Sequence, residues 1–317
     1  MKINNRWKKV ENSNGVYLPT LPKVELINKE TKVCLMGSCF ADEMGWVLRN
    51  QKIDIGDVEE KKELKHVVYP WGTFFTPMNL SNILDISLKQ DYKFLDERSF
   101  IRVPQNIIGN HYQSSNQYNL DDNYNLWCLF LKARLKTKDF NLAFSKVSEI
   151  LDKFRQSIIN AEVIIITLGL TETWIDRDKE MAWHSFHGDV LKKKSISDFG
   201  YFKKLNFEDT NFYIKKIIDT VKSIGNKKII FTVSPIPLYF TFTNQDIVIA
   251  NKYSKSTLRS AVEQFIDNKN IFYFPSFEII QDCVGWPNSF KEDKRHVKIE
   301  VFKKFIAPTF INSFTNL

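Results

Sequence analysis

Val163-Ile164-Ile165-Ile166-Thr167-Leu168 is a near-continuous run of apolar and β-branched residues. A strand with one solvated face alternates polar and apolar side chains. A run without alternation predicts a strand covered on both faces, as in a parallel sheet. Working outward, Val33-Cys34-Leu35-Met36, Lys228-Ile229-Ile230-Phe231-Thr232-Val233 and Ile271-Phe272-Tyr273-Phe274 read the same way. A further strand is expected to lead into His66-Val67-Val68-Tyr69-Pro70-Trp71-Gly72.

Between these runs the spacing turns helical. Phe40, Met44, Val47 and Leu48 share one face of a predicted helix, with Asp42 and Glu43 in its opening turn, where the macrodipole favours negative charge. Ile214, Ile217, Ile218 and Val221 mark another, which Gly225 is placed to end. Leu258, Val262, Phe265 and Ile266 mark a third. The chain should close with a helix through Ile299, Phe302 and Phe305, which Pro308 should end or kink. Strands alternating with helices predict an α/β fold, with a mostly parallel five-stranded sheet in one domain over residues 1–317. Segments at about 90–135 and 175–208, rich in Asn, Asp, Tyr and Trp, do not fit a minimal α/β unit. They read as insertions over the C-terminal edge of the sheet, where open parallel sheets place their ligands.

Composition narrows the function classes. With 43% hydrophobic and 26% charged residues, the 317-residue chain can bury a substantial core. Cys34, Cys39, Cys128 and Cys283 lie far apart, without the Cys-x-x-Cys spacing of a zinc knuckle or redox motif, and are expected to be free thiols. Cys39 is expected in the helix–sheet packing. The formal charge of +8 comes from scattered lysines, which read as a solvated surface. No nucleic-acid partner is expected without a basic–aromatic motif. The first residues are basic but not followed by an apolar stretch, and no window holds 18 consecutive apolar residues. Neither a secretory signal nor a membrane span is expected, and the expected location is cytoplasmic.

Chemistry-bearing residues fall in a few places. Ser38 follows the first strand and Gly37, at the start of a helix. A serine hydroxyl there is exposed to attack a carbonyl, and the helix N-terminus offers N–H groups to an oxyanion. The same position suits a helix-capping serine. Asp293 stands three residues before His296, a spacing that lets a carboxylate fix an imidazole tautomer, or that simply belongs to a charged surface turn with Glu292, Lys294 and Arg295. His184 and His187 read as a loop pair near a cleft, without the partners of a metal site. Glu172 and Trp174 follow the strongest strand, where substrate contacts or packing would both place them.

Gly37-Ser38-Cys39-Phe40-Ala41 resembles, letter for letter, the signature of the GSCFA family, which is similar to the SGNH/GDSL hydrolases. Further segments agree in order: Pro70-Trp71-Gly72-Thr73, Thr167-Leu168-Gly169-Leu170-Thr171-Glu172-Thr173-Trp174, Val233-Ser234-Pro235, Tyr253-Ser254-Lys255-Ser256, Tyr273-Phe274-Pro275-Ser276, and finally Asp293 with His296. The resemblance implies a three-layer α/β/α sandwich. It implies Ser38 as nucleophile, His296 as base and Asp293 as its orienting carboxylate. It further implies the N–H groups of Ser38 and Gly72 as oxyanion donors. Where the superfamily carries a third donor, an asparagine, this chain has Thr171.

The expected function is therefore serine-dependent acyl transfer on a carbohydrate or small acyl ester, as an O-acyl (acetyl) esterase or an O-acyltransferase in surface-polysaccharide synthesis. No metal or cofactor is required, and acetyl-CoA is a candidate acyl donor. The alternative is a carbohydrate-binding or assembly module without turnover on the same scaffold.

Overall fold

The apolar runs pair as parallel strands in the computed structural model, which describes residues 16–50, 73–104, 124–131, 133–135, 137–184 and 198–316. Along the chain come β1 (Val33–Gly37), α1 (Phe40–Asn50), α2 (Pro77–Lys89), β2 (Phe100–Pro104), β3 (Tyr124–Cys128) and β4 (Arg134–Leu135). There follow α3 (Phe140–Asn160), β5 (Val163–Leu168), β6 (Glu172–Asp176), β7 (Gly200–Lys204) and α4 (Phe207–Ser223). Next are β8 (Lys228–Val233), α5 (Ile247–Glu263), β9 (Ile271–Tyr273), several short helical turns, and α6 (Ala307–Phe314).

The central sheet has the order β1-β5-β8-β9, every pair parallel. It has four strands among the described residues where the sequence predicted five; the strand expected before Gly72 falls outside them. The register sets Gly37 beside Thr167 and Thr167 beside Thr232, so three strands end level with one another. Successive side chains leave opposite faces of a strand. Cys34, Met36, Ile164, Ile166, Ile229 and Phe231 therefore pack with α2, α3, α4 and α5. Val33, Leu35, Val163, Ile165 and Ile230 pack on the other face with α1 and the C-terminal helical segment. This is a three-layer α/β/α arrangement. Each fully buried Ile or Phe contributes roughly 1.5–3 kcal/mol of transfer free energy, which is why the unbroken runs decide the fold.

Local chemistry starts the helices. Asp139 accepts from the N–H groups of Asn141 and Leu142 at the head of α3, and Asn206 and Asp209 form a reciprocal capping box at the head of α4. Gly225, at φ +137°, follows α4 where the sequence placed its stop.

Three sequence expectations need correction. Pro308 does not end the closing helix: it sits in the first turn of α6, directly after a π-helical stretch at Phe302–Ile306. The N–H of Ala307 closes the wider turn on Phe302 O, and the N–H that Pro308 lacks falls in the opening turn of α6, where proline is accommodated. Ile299 is largely exposed rather than on the packed face, and α5 ends before Phe265 and Ile266, which pack half-buried beyond it.

The described parts of the segments around 90–135 and 175–208 contribute a three-stranded antiparallel sheet (β2-β3-β4) and, with the residues just before 175, an antiparallel pair (β6-β7). Phe100, Leu126 and Leu135 belong to the same buried cluster as Met36 of the central sheet, so these strands help build the core. Among the described residues no helix is long and apolar enough to cross a membrane.

Candidate active site

Gly37 ends β1 at φ +119°, a conformation that side chains disfavour. A Cβ there would lie 2.1 Å from the carbonyl oxygen of Thr167. Only glycine lets β1 stay paired to β5 while the chain turns into α1. The turn delivers Ser38 onto the C-terminal edge of the sheet, where its Oγ accepts from the N–H of Phe40 at 3.4 Å. Its own N–H donates to Thr167 O at 2.8 Å. The oxyanion donor that the family resemblance implies is thus committed to the strand ladder in this structure.

Residues 73–75 and the loop after β5 close over that edge. Phe74 N–H donates to Gly37 O, and the N–H groups of Gly169 and Leu170 both donate to Phe75 O. Gly169 packs so closely that an added Cβ would stand 3.3 Å from Ser38 Cβ. Above them lies an open-mouthed cleft enclosing about 640 Å³, solvent at its mouth included. Ser38, Gly169 and Ser234, from the ends of three neighbouring strands, line it together with Lys255 of α5, and Ile236–Phe240 and Arg295 complete its walls. Cys39, expected wholly in the packing, borders both this cleft and the apolar layer behind the sheet.

Asp293 and His296 form a compact turn. One Asp293 oxygen accepts from the N–H groups of Arg295 and His296 at 3.0 Å each, and the other meets His296 Nδ1 at 2.5 Å. Partial desolvation pushes the Asp293 carboxyl up, but the His296 ring and the two backbone donors outweigh it and hold it down at about 2. An ionised carboxylate only accepts, so Nδ1 is the nitrogen that donates to it, which leaves Nε2 as the lone-pair nitrogen of the neutral tautomer. The side chain of His296 is 49% exposed and does not line the cleft; its neighbour Arg295 does. Among the described residues, Ser38 Oγ and His296 share no hydrogen bond. The carboxylate–imidazole pair is assembled while the serine waits apart from it.

The other sequence-derived candidates lie behind the cleft rather than in it. Thr171 is fully buried, its hydroxyl and N–H both engaged with Ser254 Oγ at 2.8 and 3.2 Å. Glu172 accepts from the Thr241 hydroxyl at 2.7 Å and the Phe242 N–H at 3.0 Å, anchoring the far end of the loop whose Ile236–Phe240 lines the cleft. Trp174 stacks on Trp183, centroids 6.3 Å apart and planes 9° from parallel, with Phe242 edge-on. His184 is buried, its Nε2 paired with the Thr73 hydroxyl at 2.8 Å and its ring against Phe75. Gly72 and His187 lie outside the described residues. Among the described residues no cluster of His, Cys, Asp and Glu is arranged to hold a metal ion.

Sequence reasoning assigned no role to Lys255. It is 1% exposed, and its ammonium donates to Gly169 O at 2.6 Å and Ile236 O at 2.8 Å. Burial and, opposed by Cys39, the Arg295 charge bring its pKa down to about 7. A signal was available: Leu258 and Val262 define the buried face of α5, and residues three to four positions earlier fall on that face.

The family model for the "GSCFA family" matches residues 32–310. Among curated proteins, the chain is 22% identical over 295 residues to Protein TIC 214 of Physcomitrium patens, covering 86% of this chain and 17% of that protein. It therefore spans less than a fifth of that relative's length. No solved structure matches it. With the family model covering nearly the whole chain, from the residue before β1 into α6, the protein belongs to the GSCFA family.

Proposed function

We propose that the protein catalyses serine-dependent acyl transfer on a carbohydrate, with Ser38 as nucleophile and the Asp293–His296 pair as its base. The observation that carries this reading is a serine at the end of the first strand, lining a cleft whose wall includes Arg295 of the Asp293–His296 turn. A movement of that turn that brings His296 to the cleft beside Arg295 completes the constellation; such bonds are often open before substrate arrives.

In the proposed reaction His296 Nε2 takes the Ser38 hydroxyl proton as Oγ bonds to the ester carbonyl carbon, whose π electrons move to oxygen. Collapse breaks the bond to the leaving alcohol, which receives the proton from His296. Water or a sugar hydroxyl then attacks the acyl-serine by the same steps in reverse, giving an esterase or an O-acyltransferase respectively. Asp293 holds the imidazolium in place without itself taking the proton. The Ser38 N–H must leave Thr167 O to serve as an oxyanion donor. Gly72 is the second donor by resemblance to the SGNH/GDSL hydrolases. Acetyl-CoA is a fitting donor for the transferase, and a cytoplasmic location belongs to that same proposal.

The exposure of His296 favours a second reading, a carbohydrate-binding or assembly module without turnover. A fluorophosphonate probe separates them. Labelling of the wild type and not of Ser38→Ala supports the enzyme; a folded wild type that stays unlabelled supports the module. Incubation with acetyl-CoA or p-nitrophenyl acetate, with and without sugar acceptors, then assigns the acceptor: acetate alone means esterase, acylated sugar means transferase.

A further inference from the structure

Two cations face the Ser38 cleft, and among the described residues no acidic side chain lines it. Lys255 is buried, and its two carbonyl acceptors leave the third ammonium N–H without a partner among the described residues. Arg295 has no carboxylate partner there either. Its guanidinium lies over the Tyr239 ring at 4.5 Å, and its Nε is buried without a hydrogen bond. Placing two like charges at one apolar-walled cleft is costly unless a negative charge joins them. Surface lysines, scattered and solvated, carry no such implication. The guanidinium is planar and its donors are matched to a carboxylate or phosphoryl oxygen pair. Tyr239, which is 64% exposed, adds a flat aromatic surface of the kind a sugar ring can cover.

We propose that the cleft binds an anionic sugar, its carboxylate or phosphoryl group received between Lys255 and Arg295, beside Ser38. The inference rests on the reading of the site as one for carbohydrate acyl chemistry, and it names the substrate class: an acidic sugar, or an ester of one. The arrangement makes a second demand. Desolvation and the Arg295 charge disfavour the Lys255 ammonium in the empty cleft, so an arriving anion draws a proton onto it. Groups facing Lys255 are Cys39, whose negative form would favour the charged amine, and Arg295, which opposes it.

The test is isothermal titration calorimetry of the full chain near pH 7 with glucuronate, glucose 6-phosphate and glucose, in two buffers of different ionisation enthalpy. At least one anionic sugar should bind at least about tenfold tighter than glucose, as charge-assisted hydrogen bonds require, with proton uptake on binding. Which one does so distinguishes carboxylate from phosphoryl recognition. Arg295→Met, a change in a surface turn, should remove the preference, so that the anionic sugars bind no tighter than glucose. Lys255→Met should remove the proton uptake. Equal binding of all three sugars, no binding of any, or a preference that survives Arg295→Met would overturn the proposal. The serine probe judges the underlying reading separately. Labelled Ser38 without anion preference removes only this inference, whereas anion preference without labelling removes only the acyl chemistry.

Discussion

Lys255 makes stability depend on pH in a direction opposite to that of most basic side chains. In the unfolded chain its amine holds a proton up to about 10.5, whereas in the folded protein burial, with Arg295 nearby, releases it near 7. Between those values the unfolded state binds more protons, so the free energy of unfolding rises with pH, by up to about 1.4 kcal/mol per pH unit. Below pH 7 both states are charged, and the folded state bears the whole penalty of roughly 5 kcal/mol. From pH 7 to 8.5 the gain contributed by Lys255 is about 1.5 kcal/mol. The range stops there because the buried thiols of Cys34 and Cys128, pushed up to about 12 and 11 by burial, act in reverse once unfolded cysteines begin to ionise. The assay is urea unfolding of wild type and Lys255→Met at half-unit steps across the range. The variant leaves Gly169 O and Ile236 O without their donor, a pH-independent loss that lowers its line without tilting it. Removing the amine should remove this contribution, so that the wild type gains about 1.5 kcal/mol on Lys255→Met across the range. Glu43, pushed up to about 8 by burial, pulls both lines down alike. Parallel lines for the two proteins would refute the placement of an unpaired ammonium in that cleft.

Gly37→Ala should cost about 3 kcal/mol or more, since φ +119° and a methyl 2.1 Å from Thr167 O force β1 off β5; a urea midpoint within experimental scatter of the wild type would contradict this. Asp293→Asn should lower kcat for an ester substrate by about four orders of magnitude while Ser38 still reacts slowly with the fluorophosphonate, because the amide imposes the wrong imidazole tautomer. The Asp293 carboxyl, held at about 2 against its ordinary 3.8, contributes stability that is present above pH 3.8 and lost as pH falls toward 2. Solvent screening of this half-exposed pair keeps that contribution under about 1 kcal/mol, measurable as a smaller acid-induced loss in Asp293→Asn. Glu172→Gln keeps the size of the anchor but weakens its acceptance from Thr241 and Phe242, and should raise KM more than it lowers kcat; an equal fall in kcat and kcat/KM would place Glu172 in the chemistry instead.

The sheet was legible because unbroken apolar runs have few other places to go. Val163–Leu168 lies centrally, buried along its whole length, and the runs on either side pair with it in register. Ser38 was legible as a strand-end residue because glycine and serine at such a junction satisfy both the turn and the helix start. What one sequence hides is which side chains of a loop face inward. Nothing in Asp293-Lys294-Arg295-His296 says that Arg295 rather than His296 borders the cleft, since hydrogen bonding inside the turn and packing against Tyr239 decide it. Lys255 was obscured for a different reason: lysine is so commonly solvated that its place on the buried face of α5 reads as an exception until the carbonyls of Gly169 and Ile236 are seen around it. Glu172 and Trp174 followed the right strand, but their partners come from residues 241–242 and 183, far along the chain.

The near-parallel indoles of Trp174 and Trp183 give the molecule an optical handle. Chromophores held this close share their excited states, so the pair should leave a split band in the circular dichroism spectrum that neither indole produces alone. Trp174 belongs to β6 and touches Phe242, just beyond the loop that walls the cleft, so this signal would report from inside the folded protein when ligands rearrange that wall.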